Sequence, residues 1–211
     1  MSQLSAQTIA ALCAVAHTPL ISPFSDKRTV VNGKSWGLSA ASYDVRIAHD
    51  LVLGPNPGEF LVEAMIVLAD QDLNGIANLK RKLRSLPPSR ALAYTIEDFH
   101  FPDNVAGAVC DKSSFARVFV SAFNTFFDPG FQGNATLELV NLGAETVVIK
   151  AGDPICQFLF HFLDKPTDRP YRGKYFGQKK GAQPAIYEPS PTFVDGREQL
   201  CLPLLRSTAE N

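Results

Sequence analysis

The sequence has no excess charge of either sign and no long apolar run. Its 211 residues carry 20 Lys and Arg against 21 Asp and Glu, which gives a net charge of −1. A chain without a basic field has no global attraction for nucleic acid or for an anionic membrane, so we expect neither as a partner. No apolar run reaches membrane-spanning length and the start lacks the basic residues of a signal peptide, so a cytoplasmic protein is expected.

Metal and cofactor motifs are also missing from the sequence. The four cysteines are far apart and form no CxxC pair, so we expect buried thiols in a reducing compartment. The phosphate loop GxxxxGK[ST], the GxGxxG fingerprint, HExxH and the zinc deaminase signature HxE…PCxxC do not occur. The four histidines show no metal-ligand spacing, and no protein-held metal is predicted.

The sequence does contain a succession of short β-type segments separated by turns. Strands are predicted over residues 37–53, which could form a hairpin, and from residue 91 onward. Turn residues at Asp128–Gly130, Asn141–Gly143 and Lys150–Pro154 separate further strands. These further strands are predicted at residues 107–110, 115–123, 136–140, 145–149 and 155–163. The pattern is typical of an all-β barrel or sandwich, with residues 1–211 forming a single domain.

Two helices and a C-terminal segment complete the expected architecture. Apolar spacing over Ser5–Val15, with Ser5 as the cap, predicts an N-terminal helix within residues 1–18. A single apolar stripe predicts a second helix over Asp70–Ser85, inside residues 65–90, and we expect this helix to pack on the barrel. Residues 164–211 are rich in Gly, Pro and charge, so they form either an ordered arm or a flexible tail.

Glu138 is the first candidate for chemistry. In a strand at this position Leu137 and Leu139 point one way, while Thr136, Glu138 and Val140 point the other. One interpretation is a solvated glutamate on the outer face of a half-buried strand. The alternative is that the apolar neighbours Val140 and Phe131 enclose this face, and an enclosed carboxylate can shuttle protons.

Three further polar groups suit a nucleotide, although each could also be an ordinary turn, strand entry or solvated tail. Paired hydroxyls and cations in Lys112–Arg117 suit phosphate oxygens, and Arg117 shares a face with Ser113 if this segment is extended. Asp128, beside an aromatic wall, could accept a hydrogen bond from a sugar hydroxyl. The Gly-punctuated cations of Tyr171–Gly181 suit a polyphosphate.

These blocks, in this order and spacing, resemble the dCTP deaminase branch of the trimeric dUTPase superfamily. The similarity covers most of the chain from residue 39 to residue 178. The blocks that carry it are Ser39–Ile47 (SAASYDVRI), Thr95–Arg117, Asn124–Gly143, Ala151–Leu163 and Tyr171–Gln178. The chain departs from the usual family pattern at the insertion Met65–Arg90, in the bulky segment Val118–Val120 and in the tail after Gly181.

The resemblance implies a distorted β-barrel or jelly-roll of the dUTPase-like type that assembles as a homotrimer. The active sites would lie between subunits, with the C-terminal arm closing over the nucleotide. It also implies hydrolysis of dCTP to dUTP and ammonia without zinc, with Mg²⁺ carried by the triphosphate.

The same resemblance assigns roles to individual residues. Glu138 would take a proton from the attacking water and return protons to the ring and the leaving amine. Ser113 and Arg117 would hold the water and support the developing charge. Asp128 would face the sugar 3′-hydroxyl and Phe131 would help to exclude a 2′-hydroxyl. The remaining predicted substrate-binding residues are Lys112, Ser114, Asn124, Tyr171, Lys174 and Gln178.

Two other functions stay open. The chain could be a dUTP diphosphatase, or a bifunctional enzyme that takes dCTP to dUMP, because the diphosphatase branch uses an aspartate at the position of Asp128 to activate water. It could also be a non-catalytic protein that binds a nucleotide or a partner. The expected ligands are dCTP or dUTP, with dTTP as a candidate inhibitor.

Overall fold

A computed structural model describes residues 2–58, 82 and 85–186. The helices that lie wholly within these residues are α1 (Ala6–Cys13) and α2 (Ser113–Ala116). The early strands are β1 (Ser2–Gln3), β2 (Ile21–Ser22), β3 (Thr29–Val31), β4 (Lys34–Leu38), β5 (Tyr43–Arg46) and β6 (Leu51–Leu53). The later strands are β7 (Arg90–His100), β8 (Val105–Asp111), β9 (Val120–Ala122), β10 (Phe126–Phe127), β11 (Gln132–Asn141), β12 (Val147–Ile149) and β13 (Pro154–Phe162).

The strands form two main sheets and one small pair. Seven strands make the larger sheet, in the order β10-β8-β13-β5-β4-β3 with β1 added beside β13. Four strands make the second sheet, in the order β2-β7-β11-β9, and β6 pairs with β12. All of these pairings are antiparallel, as expected for short strands joined by turns. The prediction of an all-β fold with an N-terminal helix is confirmed.

The core lies between the inner faces of the two main sheets. Side chains of β7 and β11 alternate between buried and more exposed, so one face of the four-stranded sheet is apolar and closed. Phenylalanine rings from both sheets meet there, and the ring centroids of Phe99 and Phe158 lie 4.4 Å apart. Aromatic burial on this scale is a main source of stability.

Helix α1 begins where the sequence predicts. The Ser5 side chain accepts a hydrogen bond from the Thr8 backbone N–H at 3.5 Å, and Ile9 is fully buried against the core. Among the described residues no helix is long and apolar enough to cross a membrane.

The prediction of a strand over residues 115–123 is wrong in its first half. Ser113–Ala116 is a single helical turn, and only Val120–Ala122 is a strand. The backbone N–H groups of Phe115 and Ala116 both donate to the Lys112 carbonyl, which closes the turn. Phe119 then adopts a φ of 60°, a left-handed conformation that separates the helical turn from the strand.

The two remaining predicted segments have different outcomes. The arm after Asp164 is ordered against the barrel through residue 186, so within that range it is not a flexible tail. The predicted helix over Asp70–Ser85 falls almost entirely outside the described residues, as does the tail after residue 186.

Candidate active site

Glu138 lies on the outer face of the four-stranded sheet. It is half-buried, while its neighbours Leu137 and Leu139 point into the core, as the alternation predicts. Leu92 of β7 lies directly opposite Glu138 in the β7–β11 pairing. The outer face beside the carboxylate is apolar, since Leu92 and Phe123 expose 43% and 60% of their surface there.

Two pockets meet at Glu138. The first, of about 430 Å³, is lined by Leu92, Thr125, Phe127, Thr136, Glu138, Tyr175, Gln178, Gln183, Pro184 and Ala185. The second, of about 540 Å³, is lined by Arg90, Ala91, Leu92, Phe123, Glu138, Leu139 and Val140. A carboxylate in the shared wall of two cavities can contact a ligand and a water molecule at the same time.

The Glu138 carboxylate has a neutral hydrogen-bond donor. Its Oε2 atom accepts a hydrogen bond from the Thr125 hydroxyl at 3.3 Å. Within the described part of the chain it forms no ion pair. A carboxylate without a bound cation remains available to accept a proton from water or from a ligand.

The arm closes the first pocket from one side. The Gln178 carbonyl accepts from the Asn134 backbone N–H at 3.1 Å, and its side-chain amide donates to the Thr136 hydroxyl. The Gln183 backbone N–H also donates to Thr136, at 3.0 Å. Gln178 is buried, and it forms a parallel bridge with Gly133. Residues 178–185 therefore reach the rim of the pocket that contains Glu138.

Gly133 permits this docking by lacking a side chain. Its φ is 120°, and a Cβ atom added there would lie 2.1 Å from the Gln178 carbonyl oxygen. Glycine is the residue that tolerates both this backbone conformation and such a close approach.

The predicted hydroxyl and arginine cluster lies elsewhere on the same chain. Ser113, Ser114 and Arg117 are exposed on α2 and its C-terminal end, held in place by the buried Phe115. None of these three side chains lines either of the two pockets beside Glu138. One chain therefore does not bring the predicted Ser113 and Arg117 to the Glu138 carboxylate.

Lys112 is buried and takes part in an ion pair. Its ammonium group forms an ion pair with Asp44 of β5, and the Arg28 guanidinium approaches the same carboxylate at 3.9 Å. In this structure the Lys112 charge is balanced by protein, and Asp44 links the residue before α2 to the larger sheet.

The other predicted substrate-binding residues lie on the surface, in the core or in the arm. Asn124 and Asp128 are exposed, and Asp128 lines a third pocket of about 360 Å³ together with Arg169 and Tyr171. Phe131 is buried in the aromatic core, with its ring 6.1 Å from that of Tyr171. Lys174 is exposed, and its ammonium group donates to the Ile186 carbonyl.

Sequence reasoning did not select Thr125, Thr136 or Gln183, which all line the Glu138 pocket. Thr136 shares a strand face with Glu138, so its position two residues earlier was a usable signal. Thr125 reaches the carboxylate from the irregular segment between β9 and β10, and Gln183 lies beyond the last recognisable block. Neither of these two carries a pattern that a single sequence reveals.

Known proteins resemble this chain over most of its length. The sequence model of the family described as dCTP deaminase-like matches residues 3–163. The dCTP deaminase of Campylobacter curvus is 33% identical over 171 residues, 79% of this chain and 90% of that protein. The dCTP deaminase of Thermococcus gammatolerans is 33% identical over 162 residues, 76% of this chain and 86% of that protein.

Solved structures also match. The 2′-deoxycytidine 5′-triphosphate deaminase from Agrobacterium tumefaciens has a TM-score of 0.46 and 17% identity, covering 76% of this chain and 48% of that chain. The native EIAV dUTPase has a TM-score of 0.42 and 15% identity, covering 64% of this chain and 87% of that chain.

Proposed function

Because the chain belongs to the dCTP deaminase-like family, we propose that it hydrolyses dCTP to dUTP and ammonia. The observation that carries the proposal is the position of Glu138. Its carboxylate has no cation partner among the described residues, accepts a hydrogen bond from a neutral hydroxyl, and forms a wall of two pockets. Deamination requires a group of this kind to move protons between water and the base.

The reaction consists of addition of water followed by loss of ammonia. Glu138 takes one proton from the water that attacks C4 and delivers it to N3 of the ring, which gives a tetrahedral intermediate. It then takes the proton of the new hydroxyl and delivers it to the amino group, which leaves as ammonia while the C4 carbonyl forms. The carboxylate is regenerated, so one residue serves as both general base and general acid.

Ser113 and Arg117 complete this site from a second copy of the chain. Within one chain they do not line the Glu138 pockets, and they are exposed and therefore available to a neighbour. The apolar outer face around Leu92 and Phe123 supports a homotrimer in which this face is covered.

The substrate is the magnesium complex of the nucleotide, with the metal ion on its triphosphate. Ser114, Tyr171, Lys174 and Gln178 contact the phosphates, and Lys112 joins them by sharing its charge between phosphate and Asp44. Asp128 and Asn124 face the sugar side, and Phe131 supports the wall that excludes a 2′-hydroxyl. Lys174 exchanges its carbonyl partner for a phosphate oxygen, a stronger acceptor.

A second activity has an observation in its favour. Asp128 is an exposed carboxylate beside a separate pocket that it shares with Tyr171 and Arg169. An aspartate there could activate water at the α-phosphate, which would make the chain a dUTP diphosphatase or a bifunctional enzyme that releases dUMP.

Product analysis on dCTP and on dUTP separates these functions. A deaminase gives dUTP and ammonia from dCTP and leaves dUTP intact. A diphosphatase gives dUMP and pyrophosphate from dUTP, and a bifunctional enzyme gives ammonia, dUMP and pyrophosphate from dCTP. Turnover of neither nucleotide would overturn the proposal and favour a protein that only binds a nucleotide or a partner.

Subunit mixing tests the shared site. Chains carrying Glu138→Gln and chains carrying Arg117→Ala are each expected to be inactive, and mixed trimers should recover part of the activity because one interface then has both side chains intact. Light scattering that shows only monomers at micromolar concentration would contradict the assembly.

A further inference from the structure

The Thr125 hydroxyl lies between two oxygen atoms. Its Oγ1 is 3.3 Å from Glu138 Oε2 and 3.3 Å from the Phe123 carbonyl oxygen. A threonine hydroxyl has one hydrogen to donate and two lone pairs that accept. With two acceptors at equal distance, this single hydrogen has two alternative positions that differ by a rotation about one bond.

Backbone hydrogen bonds fix the position of this hydroxyl. The Phe123 N–H donates to the Glu138 carbonyl at 3.0 Å, and the Thr125 carbonyl accepts from the Val109 N–H at 2.9 Å. The segment Phe123–Thr125 is thus tied to β11 on one side and to β8 on the other. The hydroxyl is part of the wall of the 430 Å³ pocket and does not depend on the arm.

We propose that Thr125 is a positioning residue that keeps the Glu138 carboxyl group in one orientation through both of its protonation states. This inference rests on the proposed function, in which Glu138 gains and loses a proton twice in each turnover. When Glu138 is ionised, the Thr125 O–H donates to Oε2. When Glu138 carries the proton that it shuttles, that proton sits on Oε1, and Oε2 still accepts the hydrogen bond from the Thr125 O–H.

A neutral hydroxyl donor suits this position better than a cation. An ammonium group would strongly favour the ionised form and make Glu138 a weaker base, and a carbonyl could not donate to the carboxylate. The hydroxyl gives a partner to each form, so the carboxyl group need not rotate away between the two proton transfers. Proton transfer depends on such alignment because a small displacement of the acid–base group lowers the rate.

Four variants test the proposal in a dCTP deamination assay. Thr125→Val keeps the shape and removes the hydroxyl, Thr125→Ala removes both, and Thr125→Ser keeps the hydroxyl. Thr29→Val is the matched control, since Thr29 on β3 makes a comparable hydroxyl contact to Ser25 at 3.4 Å and lies outside the pocket. Ammonia release gives kcat and KM, and thermal unfolding shows that each variant is folded.

The expected result is a loss in kcat with little change in KM. Thr125→Val and Thr125→Ala should lower kcat about tenfold, the size of one lost hydrogen bond to the reacting group, with KM for dCTP within about twofold of the wild type. Thr125→Ser should restore kcat to within about threefold, and Thr29→Val should match the wild type.

Two results would overturn the inference while leaving the deaminase proposal intact. One is a wild-type kcat in the folded Val and Ala variants. The other is an equal loss in the Ser variant, because the hydroxyl would then not be the cause. A wild-type protein that releases no ammonia from dCTP would instead overturn the proposed function and, with it, this inference.

Discussion

Glu97 and Glu138 stand on neighbouring strands of the same four-stranded sheet, with their side chains on opposite faces. Glu97 is completely buried, and the Arg46 guanidinium and backbone N–H donate to its two carboxylate oxygens at 2.8 and 2.9 Å. Glu138 is half-buried and borders two pockets, with a neutral hydroxyl as its donor. The same side chain thus serves as a structural anchor on one face and as a candidate acid–base group on the other.

The electrostatics of Glu97 show why the inner carboxylate is not available for chemistry. Burial raises the pKa of the Glu97 carboxyl group, and the hydrogen bonds and charge of Arg46 act in the opposite direction. Both of its oxygens accept hydrogen bonds from Arg46, and Glu97 lines none of the three pockets described above. A carboxylate is suited to proton transfer when its partners are few and neutral and it borders a cavity.

The largest effect is expected from Glu138→Gln. The substitution keeps the shape and removes the proton acceptor, so turnover should fall by about two to four orders of magnitude while nucleotide binding is largely retained. Ammonia release and calorimetric titration with dCTP measure the two quantities. Glu145→Gln, the same change at an exposed position, is the control, and near-normal turnover in the Glu138 variant would remove this residue from the mechanism.

Glu97→Gln should instead act on stability. It leaves the mostly buried Arg46 charge without its counter-ion, which costs about 3 kcal/mol of unfolding free energy. Denaturant unfolding measures the loss, and the folded fraction should keep its turnover. A cost below about 1 kcal/mol would mean that Arg46 finds a replacement partner, and the contrast between the two faces would be weaker than the contacts indicate.

Gly133→Ala should release the arm from the site. The added Cβ would overlap the Gln178 carbonyl oxygen, so the arm must move and KM for dCTP should rise about tenfold. Gly152→Ala is the matched control because Gly152 has a φ of 86° with nothing within 4 Å, so that variant has the backbone strain without the clash. Limited proteolysis within residues 171–186 should be faster for Gly133→Ala, and equal rates in both variants would contradict the docking.

Some features of the candidate site could be predicted from the sequence and others could not. The alternation around Leu137 and Leu139 placed Glu138 on the outer face, because the two-residue period of a strand is a local property. The docking of Gln178 on Gly133 joins residues far apart in the chain, so no local period reports it. The helical turn at Ser113 was missed because Phe119 takes a left-handed conformation that bulky residues rarely adopt, and residue preference therefore predicted a continuous strand.

The smallest effect concerns a third carboxylate, Asp153. Its burial alone would raise its pKa, but hydrogen bonds from Lys34, Asn32 and the Lys150 N–H outweigh this and hold the pKa below its ordinary value of 3.8. The native state therefore binds fewer protons at this group than the unfolded state does. The stabilising contribution of Asp153 is present at pH values above its ordinary pKa. It is lost as the pH falls through the lower pKa that Asp153 has in the native state.

Asp153→Asn should remove this contribution to the pH dependence of stability under acidic conditions. Unfolding midpoints measured between about pH 2 and pH 5 should depend less on pH in the variant than in the wild type. The contribution of Glu97 to the pH dependence of stability has the opposite sign, since its raised pKa favours the native state at low pH. An unchanged slope in the Asp153 variant would mean that other carboxyl groups dominate acid unfolding.

The Arg46 side chain that neutralises Glu97 also lies over Trp36, with its guanidinium carbon 3.7 Å from the ring centroid. Trp36 is the single tryptophan in the sequence. Selective excitation of indole therefore yields emission from Trp36 alone, and this emission reports on the Arg46 charge that lies against the ring. The protein therefore has one intrinsic indole fluorophore beside the partner of the structural carboxylate, whereas the aromatic chromophores of the arm near the Glu138 pocket are the phenols of Tyr171 and Tyr175.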